Sequence, residues 1–201
     1  MNWHLHFLGT GAAHAVELGS SSAVLERDGT PMLLIDCGPD TLDRYYAAYG
    51  EPPRNIYITH THMDHVGGLE RLFTRVWFDE ALRGKTRVFA HAALVPWLQT
   101  RVADYPGVLA EGGVNYWEAF RLVPCSRGFW LDGWWFDVFA YQAPSSGHLV
   151  RRGAARQFCV HRRHAADSRS AGAVRGRAGV DRARLRPGGQ SFAYRYRRYR
   201  A

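Results

Sequence analysis

Hydrophobic and polar positions follow two rhythms along the first 140 residues of this chain and then lose both. Period-two alternation and short β-rich runs predict strands at His4–Gly9, Ser21–Arg27, Met32–Asp36, Asn55–Thr59, Arg87–Ala90 and Phe120–Val123. Asp28-Gly29-Thr30-Pro31 joins the second and third of these as a hairpin. Asp132-Gly133 joins Phe129–Leu131 to Trp134–Phe139 in the same way, because an Asp-Gly pair accepts the positive φ angles of a tight turn. Helical spacing predicts Thr41–Tyr49, stopped by Gly50 with Pro52-Pro53 beyond. It also predicts Leu94–Val102 and Gly68–Leu82, the latter apolar at 69, 72, 73, 76 and 77. Strands alternating with helices place residues 1–140 in the α/β class.

Beyond Ala140 the periodicity stops. Residues 141–201 are dominated by Arg, Ala and Gly, and their composition predicts a disordered tail rather than a packed unit. Charge divides at the same point. Residues 1–140 hold 11 Lys+Arg against 16 Asp+Glu, a net −5; residues 141–201 hold 15 Arg, no Lys and two Asp, a net +13. The two sum to the overall +8, so the chain is an acidic body followed by a basic segment.

Other classes are excluded by composition. At 201 residues and 46% hydrophobic, the chain suits a globular domain, and no apolar run approaches the roughly 18 residues needed to span a membrane. The opening MNWHLHFLGTGAAH lacks the basic-then-apolar order of a signal peptide. Cys37, Cys125 and Cys159 are odd in number and have no CxxC spacing. A disulfide framework is therefore not expected, and a cytoplasmic location is.

The chemistry lies in NIYITHTHMDHVGGL, where a strand is followed at once by His60, His62, Asp64 and His65. Imidazoles and carboxylates suit Zn, Fe or Mn, and close spacing lets one loop serve two adjacent ions. Gly67-Gly68 is expected to let the backbone turn tightly into the helix that follows. Surface histidines in a polar loop are the bland alternative, which four ligand types in this order outweigh. His4, His6, His14 and His91 lack such spacing and read as solvent or core residues; His14, in the glycine-rich opening loop, is the one that could face the site.

HTHMDH followed by VGGL resembles the H-x-H-x-D-H motif of the metallo-β-lactamase superfamily. The opening FLGTGAAH, the hairpin ending in LLIDCG and the strand before the motif follow that superfamily's order of elements over residues 3–140. The likeness is greatest to the branch of ribonuclease Z-like and cyclic-phosphate phosphodiesterase enzymes. It implies an αββα sandwich, of which residues 1–140 are the N-terminal half and residues 141–201 an incomplete or non-native second half. It implies two divalent ions, Zn foremost with Mn or Fe as alternatives. His60 and His62 would hold the first, Asp64 and His65 the second, and Asp64 would act catalytically by orienting the attacking water. Asp36 would be a structural group behind the ligands. The implied substrate is a small-molecule or nucleotide phosphodiester.

The resemblance also implies later ligands: a histidine for the first metal, a bridging Asp in Gly-Asp-Thr, and a last histidine. His148, His161, His164, Asp167 and Asp181 are ligand types without the expected strands before them. A frameshift accounts for this. Codons permitted for Phe158–Gly172, read one base forward, encode SVYTGDTRPIPEVL, which contains Gly-Asp-Thr after a strand-like run. The shifted frame also permits histidines near Tyr141–Val150 and within Arg177–Ala201. On this reading the body exposes one apolar face and hydrolase activity is impaired. A second reading keeps the tail as a genuine extension, its SFAYRYRRYRA ending contacting nucleic-acid phosphates while tyrosines stack on bases.

Overall fold

Both Asp-Gly pairs form tight hairpin turns in the computed structural model, which describes residues 2–104, 115–141 and 157–164. Strand β1 (Trp3–Gly9) pairs antiparallel with β2 (Ser22–Arg27), which pairs antiparallel with β3 (Thr30–Ile35). At the β2–β3 turn Asp28 and Gly29 have φ of 49° and 79°, the successive positive angles that a two-residue turn demands. Helix α1 (Thr41–Tyr49) then leads to β4 (Asn55–Ile58), parallel to β3. Strands β5 (Thr86–His91) and β6 (Phe120–Cys125) extend the sheet in parallel, giving six strands in chain order.

A second sheet holds β7 (Gly128–Leu131), β8 (Trp134–Tyr141) and β9 (Gln157–His164), all antiparallel. Strand β9 corrects the expectation that strand structure stops near Ala140. It pairs with β8 from Tyr141 opposite Gln157 to Trp134 opposite His164. The β8–β9 ladder supplies backbone partners along one edge of β8, and Phe158, Cys159 and Val160 give the added strand a β-prone run.

Helix α1 begins and ends where its spacing predicts. Gly50, at φ 73°, closes it by donating its N–H to the carbonyl of Tyr46 at 2.9 Å. Past the short helix α2 (Met63–Val66), helix α3 covers Gly68–Trp77 rather than running to Leu82. Its end is tied down locally: the Arg83 guanidinium donates to the Trp77 carbonyl, and the Asp79 side chain accepts from the Ala81 N–H at 2.9 Å. After β5 the single predicted helix divides into a 3₁₀ turn (Ala92–Leu94), an α-turn α4 (Val95–Leu98) and a π-helical turn (Gln99–Ala103). A further turn, α5 (Tyr116–Ala119), precedes β6.

Alternation along the strands splits the core in two. Ile56, Ile58 and Val88 face Leu69, Leu72, Phe73 and Val76 of α3 and Leu42 and Tyr45 of α1. Leu33, Ile35, Tyr57 and Phe89 face Phe129, Leu131, Phe136 and Val138 of the second sheet, with the Phe89 and Phe129 rings stacked at 4.1 Å. The layers are helix, sheet and sheet. The first sheet is therefore covered on both faces, contrary to the expected bare face. Trp130, 54% exposed, and Phe139, 49% exposed, lie on the outer side of the second sheet, while Phe7, Phe78 and Trp97 are exposed elsewhere.

Candidate metal centre

Parallel β3 and β4 end side by side, which brings Asp36 and His60 to one edge of the sheet. The motif then winds as a single turn, α2, rather than remaining a loop. His62 is its extended N-terminal flank, at φ −71° and ψ 149°. That turn carries His65 back beneath His60. Their rings lie 3.9 Å apart, and the His62 ring lies 4.7 Å from that of His60. Asp36, His60 and His65 are buried, Asp64 is partly exposed and His62 is exposed.

Backbone bonds weld α2 to the end of β3. The Cys37 N–H donates to the His65 carbonyl at 2.7 Å, and the Gly68 N–H donates to the Cys37 carbonyl at 2.9 Å. This contact explains the glycines. Gly67 has an ordinary right-handed φ of −62°, so no unusual turn is required of it. A Cβ on Gly68 would lie 2.3 Å from the Gly38 carbonyl oxygen, and one on Gly67 would lie 2.7 Å from that of Met63. The glycines permit close approach, not the tight turn the sequence suggested.

Asp36 adopts a left-handed φ of 61° and anchors a hydrogen-bond chain. Its Oδ1 accepts from the Thr59 N–H at 2.8 Å, and its Oδ2 accepts from the Thr59 hydroxyl at 2.7 Å and from His65 Nδ1 at 2.8 Å. Having given its proton to Asp36, the Thr59 hydroxyl accepts from His60 Nδ1 at 2.9 Å. The network thus assigns the proton to Nδ1 in both buried rings, so that each presents Nε2 on its other side. Burial and the neighbouring His65 push the His60 pKa down to about 4, which keeps that imidazole neutral. Burial also acts against a charge on His65, but its hydrogen bond to Asp36 and the charges of Asp36 and Asp64 prevail and raise the pKa.

This donor set fits a divalent metal. Ligand-type atoms of Asp36, His60 and His65 lie within 4.8 Å of one another, but both Asp36 oxygens are already engaged by Thr59 and His65. Both oxygens of Asp36 thus bear on Thr59 and His65, the arrangement of a carboxylate that orients a ligating histidine. His65 Nε2 lies 3.4 Å from Asp64 Oδ2, so those two donors converge. The relay through Thr59 was not anticipated from sequence; a hydroxyl directly before His60 is its only linear trace.

The other histidines take different places. His14 is exposed, His6 Nδ1 meets the Tyr49 hydroxyl at 2.9 Å, and His91 Nδ1 accepts from the Ala93 N–H. Of the later ligand types, His161 and His164 lie on β9 in backbone register with Asp137 and Trp134. His148, Asp167, Asp181 and the RYRRYR ending lie outside the described residues.

The fold is that of the metallo-β-lactamase-fold protein YhfI from Bacillus subtilis. That structure matches with a TM-score of 0.56 at 13% identity, over 79% of this chain and 56% of that one. The model of the family described as "Anti-Pycsar protein Apyc1" matches residues 3–104, and the chain belongs to that family. Among curated relatives, the Anti-Pycsar protein Apyc1 of Paenibacillus harenae is 41% identical over 37% of this chain and 32% of its own length. That of Saccharibacillus brassicae is 40% identical over 58% of this chain and 48% of its own. The chain thus spans from about a quarter to a half of the length of the curated relatives it matches.

Proposed function

We propose that this chain derives from a metal-dependent phosphodiesterase whose substrate is a cyclic nucleotide, and that its activity is impaired as the chain stands. The observation that carries the reading is the buried Asp36 carboxylate, which holds His65 directly and His60 through Thr59, with His65 Nε2 3.4 Å from Asp64. The family's description as an anti-Pycsar protein supports the substrate class. His60 and His62 would hold one ion and Asp64 and His65 a second. Two such ions, when bound, supply Lewis acidity and an acidified water for attack on phosphorus. Asp64, partly exposed beside His65, would orient the attacking water. Asp36 and Thr59 keep both rings from rotating, so neither ligand has to be ordered when metal binds.

Impairment follows from residues 141–201, which lack the contexts for the remaining ligands and which we read as out of frame. Two protein ligands per ion are fewer than catalytic zinc sites use. Elemental analysis and hydrolysis assays on this chain, and on one with residues 141–201 replaced by the shifted reading, test both parts. The chain as it stands is expected to hold well under two equivalents of metal and to turn over no cyclic nucleotide. The restored chain should gain both. A restored chain with neither metal nor hydrolysis overturns the functional reading, and a gene whose shifted frame lacks Gly-Asp-Thr overturns the frameshift.

The charge division favours one second reading, nucleic-acid binding through the +13 segment. Steeply salt-dependent RNA binding, lost on deleting residues 141–201, would favour it.

A further inference from the structure

The two ends of β4 face opposite poles of the fold. One end carries His60; at the other, about 15 Å away by strand rise, Asn55 opens onto a groove of about 680 Å³. The groove lies where β3, β4, β5 and β6 begin and where the β7–β8 turn comes down from the second sheet. Arg27, Arg54, Lys85, Arg87 and Arg121 line it, against two carboxylates, Glu51 and Asp132. Residues 1–140 carry a net −5, yet five of their 11 basic side chains gather here and leave the groove at +3.

The arrangement of these cations argues for a ligand. Arg87 and Arg121 are direct partners in the parallel β5–β6 register, so both side chains leave the same face of the sheet as neighbours. Like charges placed directly opposite in a sheet destabilise it unless something offsets them. Arg87 is held in place: its Nε donates to Asn55 Oδ1 at 2.7 Å, and Asp132 stands 3.5 Å from its NH2. Arg54 has only an exposed contact of 3.5 Å with Glu51. Arg27, Lys85 and Arg121 make no ion pair among the described residues. One fixed guanidinium beside three cations that make no ion pair among the described residues, in a concavity within the usual range of roughly 300–1,000 Å³ for small-ligand sites, matches the chemistry of a phosphate group.

We propose that this groove binds a phosphate-bearing anion of up to mononucleotide size, at a site separate from the metal centre. Arg87 and Arg121 flank the phosphate, and Lys85, Arg54 and Arg27 supply the surrounding positive field.

Calorimetric titration of the metal-free full chain with inorganic pyrophosphate and with adenosine monophosphate tests this. Removing metal silences the other pole, and keeping residues 141–201 leaves their charge constant in every comparison. The exposed pair Lys85→Gln/Arg121→Gln is the test variant, because neither side chain makes an ion pair among the described residues; far-UV circular dichroism checks that it folds. Affinity for both probes is expected to fall about tenfold or more, as loss of two charge-assisted contacts implies. A His62→Ala control should bind them as the parent does. Equal affinity in parent and double variant overturns the site, as does competition by chloride as effective as by pyrophosphate. If the double variant unfolds, Arg27→Gln alone provides the comparison, with a smaller loss expected and no change counting against the proposal.

Discussion

The His65 Nδ1–H donates to Asp36 Oδ2 across 2.8 Å, joining helix α2 to the end of β3. The bond does two things. It offsets part of the cost of burying both groups, and it turns Nε2 of His65 towards Asp64. Asp36→Asn separates these effects from backbone strain, because Asn tolerates the left-handed φ of 61° nearly as well as Asp. Metal affinity is expected to fall about 10–100-fold, as for other losses of a group behind a ligating histidine. Competition with a chromogenic chelator measures this, and unchanged affinity would remove Asp36 from the site.

Close approach at Gly68 is equally specific. A methyl group there meets the Gly38 carbonyl oxygen at 2.3 Å and the Cys37 Sγ at 2.9 Å, and a backbone carbonyl cannot swing aside. Gly68→Ala should destabilise the fold by about 1–3 kcal/mol or more through overpacking. The midpoint of urea unfolding reads this directly; a midpoint equal to the parent's would show that the two segments separate easily.

Asp40 ties the opening loop to α1. Its Oδ1 accepts from the Ser20 N–H at 2.9 Å and its Oδ2 from Arg44 Nε at 3.0 Å. Burial opposes its charge, but hydrogen bonds from Ser20, its own backbone and Arg44 prevail and hold its pKa below the ordinary value. Because the folded pKa is depressed, the carboxylate stabilises the fold above its unfolded pKa of about 4, and that contribution is lost as pH falls through the folded value. The side chain is 38% exposed, so screening keeps the effect below about 1 kcal/mol. Asp40→Asn should therefore lower thermal stability slightly at pH 7 and by less at pH 2.5. An equal loss at both pH values would assign the effect to packing.

Exposed aromatics on the outer face of the second sheet carry a solution consequence. Trp130 packs edge-on against Trp135 at 5.5 Å, and Phe139 extends the patch along β8. An apolar patch on a sheet face promotes self-association. Trp130→Thr/Phe139→Thr keeps β propensity while removing apolar area, and should raise the monomer fraction in sedimentation velocity runs without lowering the melting temperature by more than a few degrees. Association unchanged by the double substitution would locate the sticky surface elsewhere.

Local chemistry settled a large part of this protein without help from distant residues. The Asp28-Gly29 and Asp132-Gly133 turns, the limits of α1 at Thr41 and Gly50, and the parallel strands all follow from dihedral preferences and side-chain periodicity within a few residues. The ligand candidates His60, His62, Asp64 and His65 are close in the chain and so were visible as a group. What the linear order could not fix depends on segments far apart. Asp36 and His65 are 29 positions distant, and only the pairing of β3 with β4 and the turn of α2 bring them into contact. The true role of Gly68 needs the carbonyl of Gly38, and β9 needs the edge of β8. Likewise the basic groove opposite the metal centre assembles residues from Arg27 to Asp132. Short-range preferences set which elements form; burial and hydrogen bonding across closed loops set which of their side chains meet, and the chemistry of the site depends on that second step.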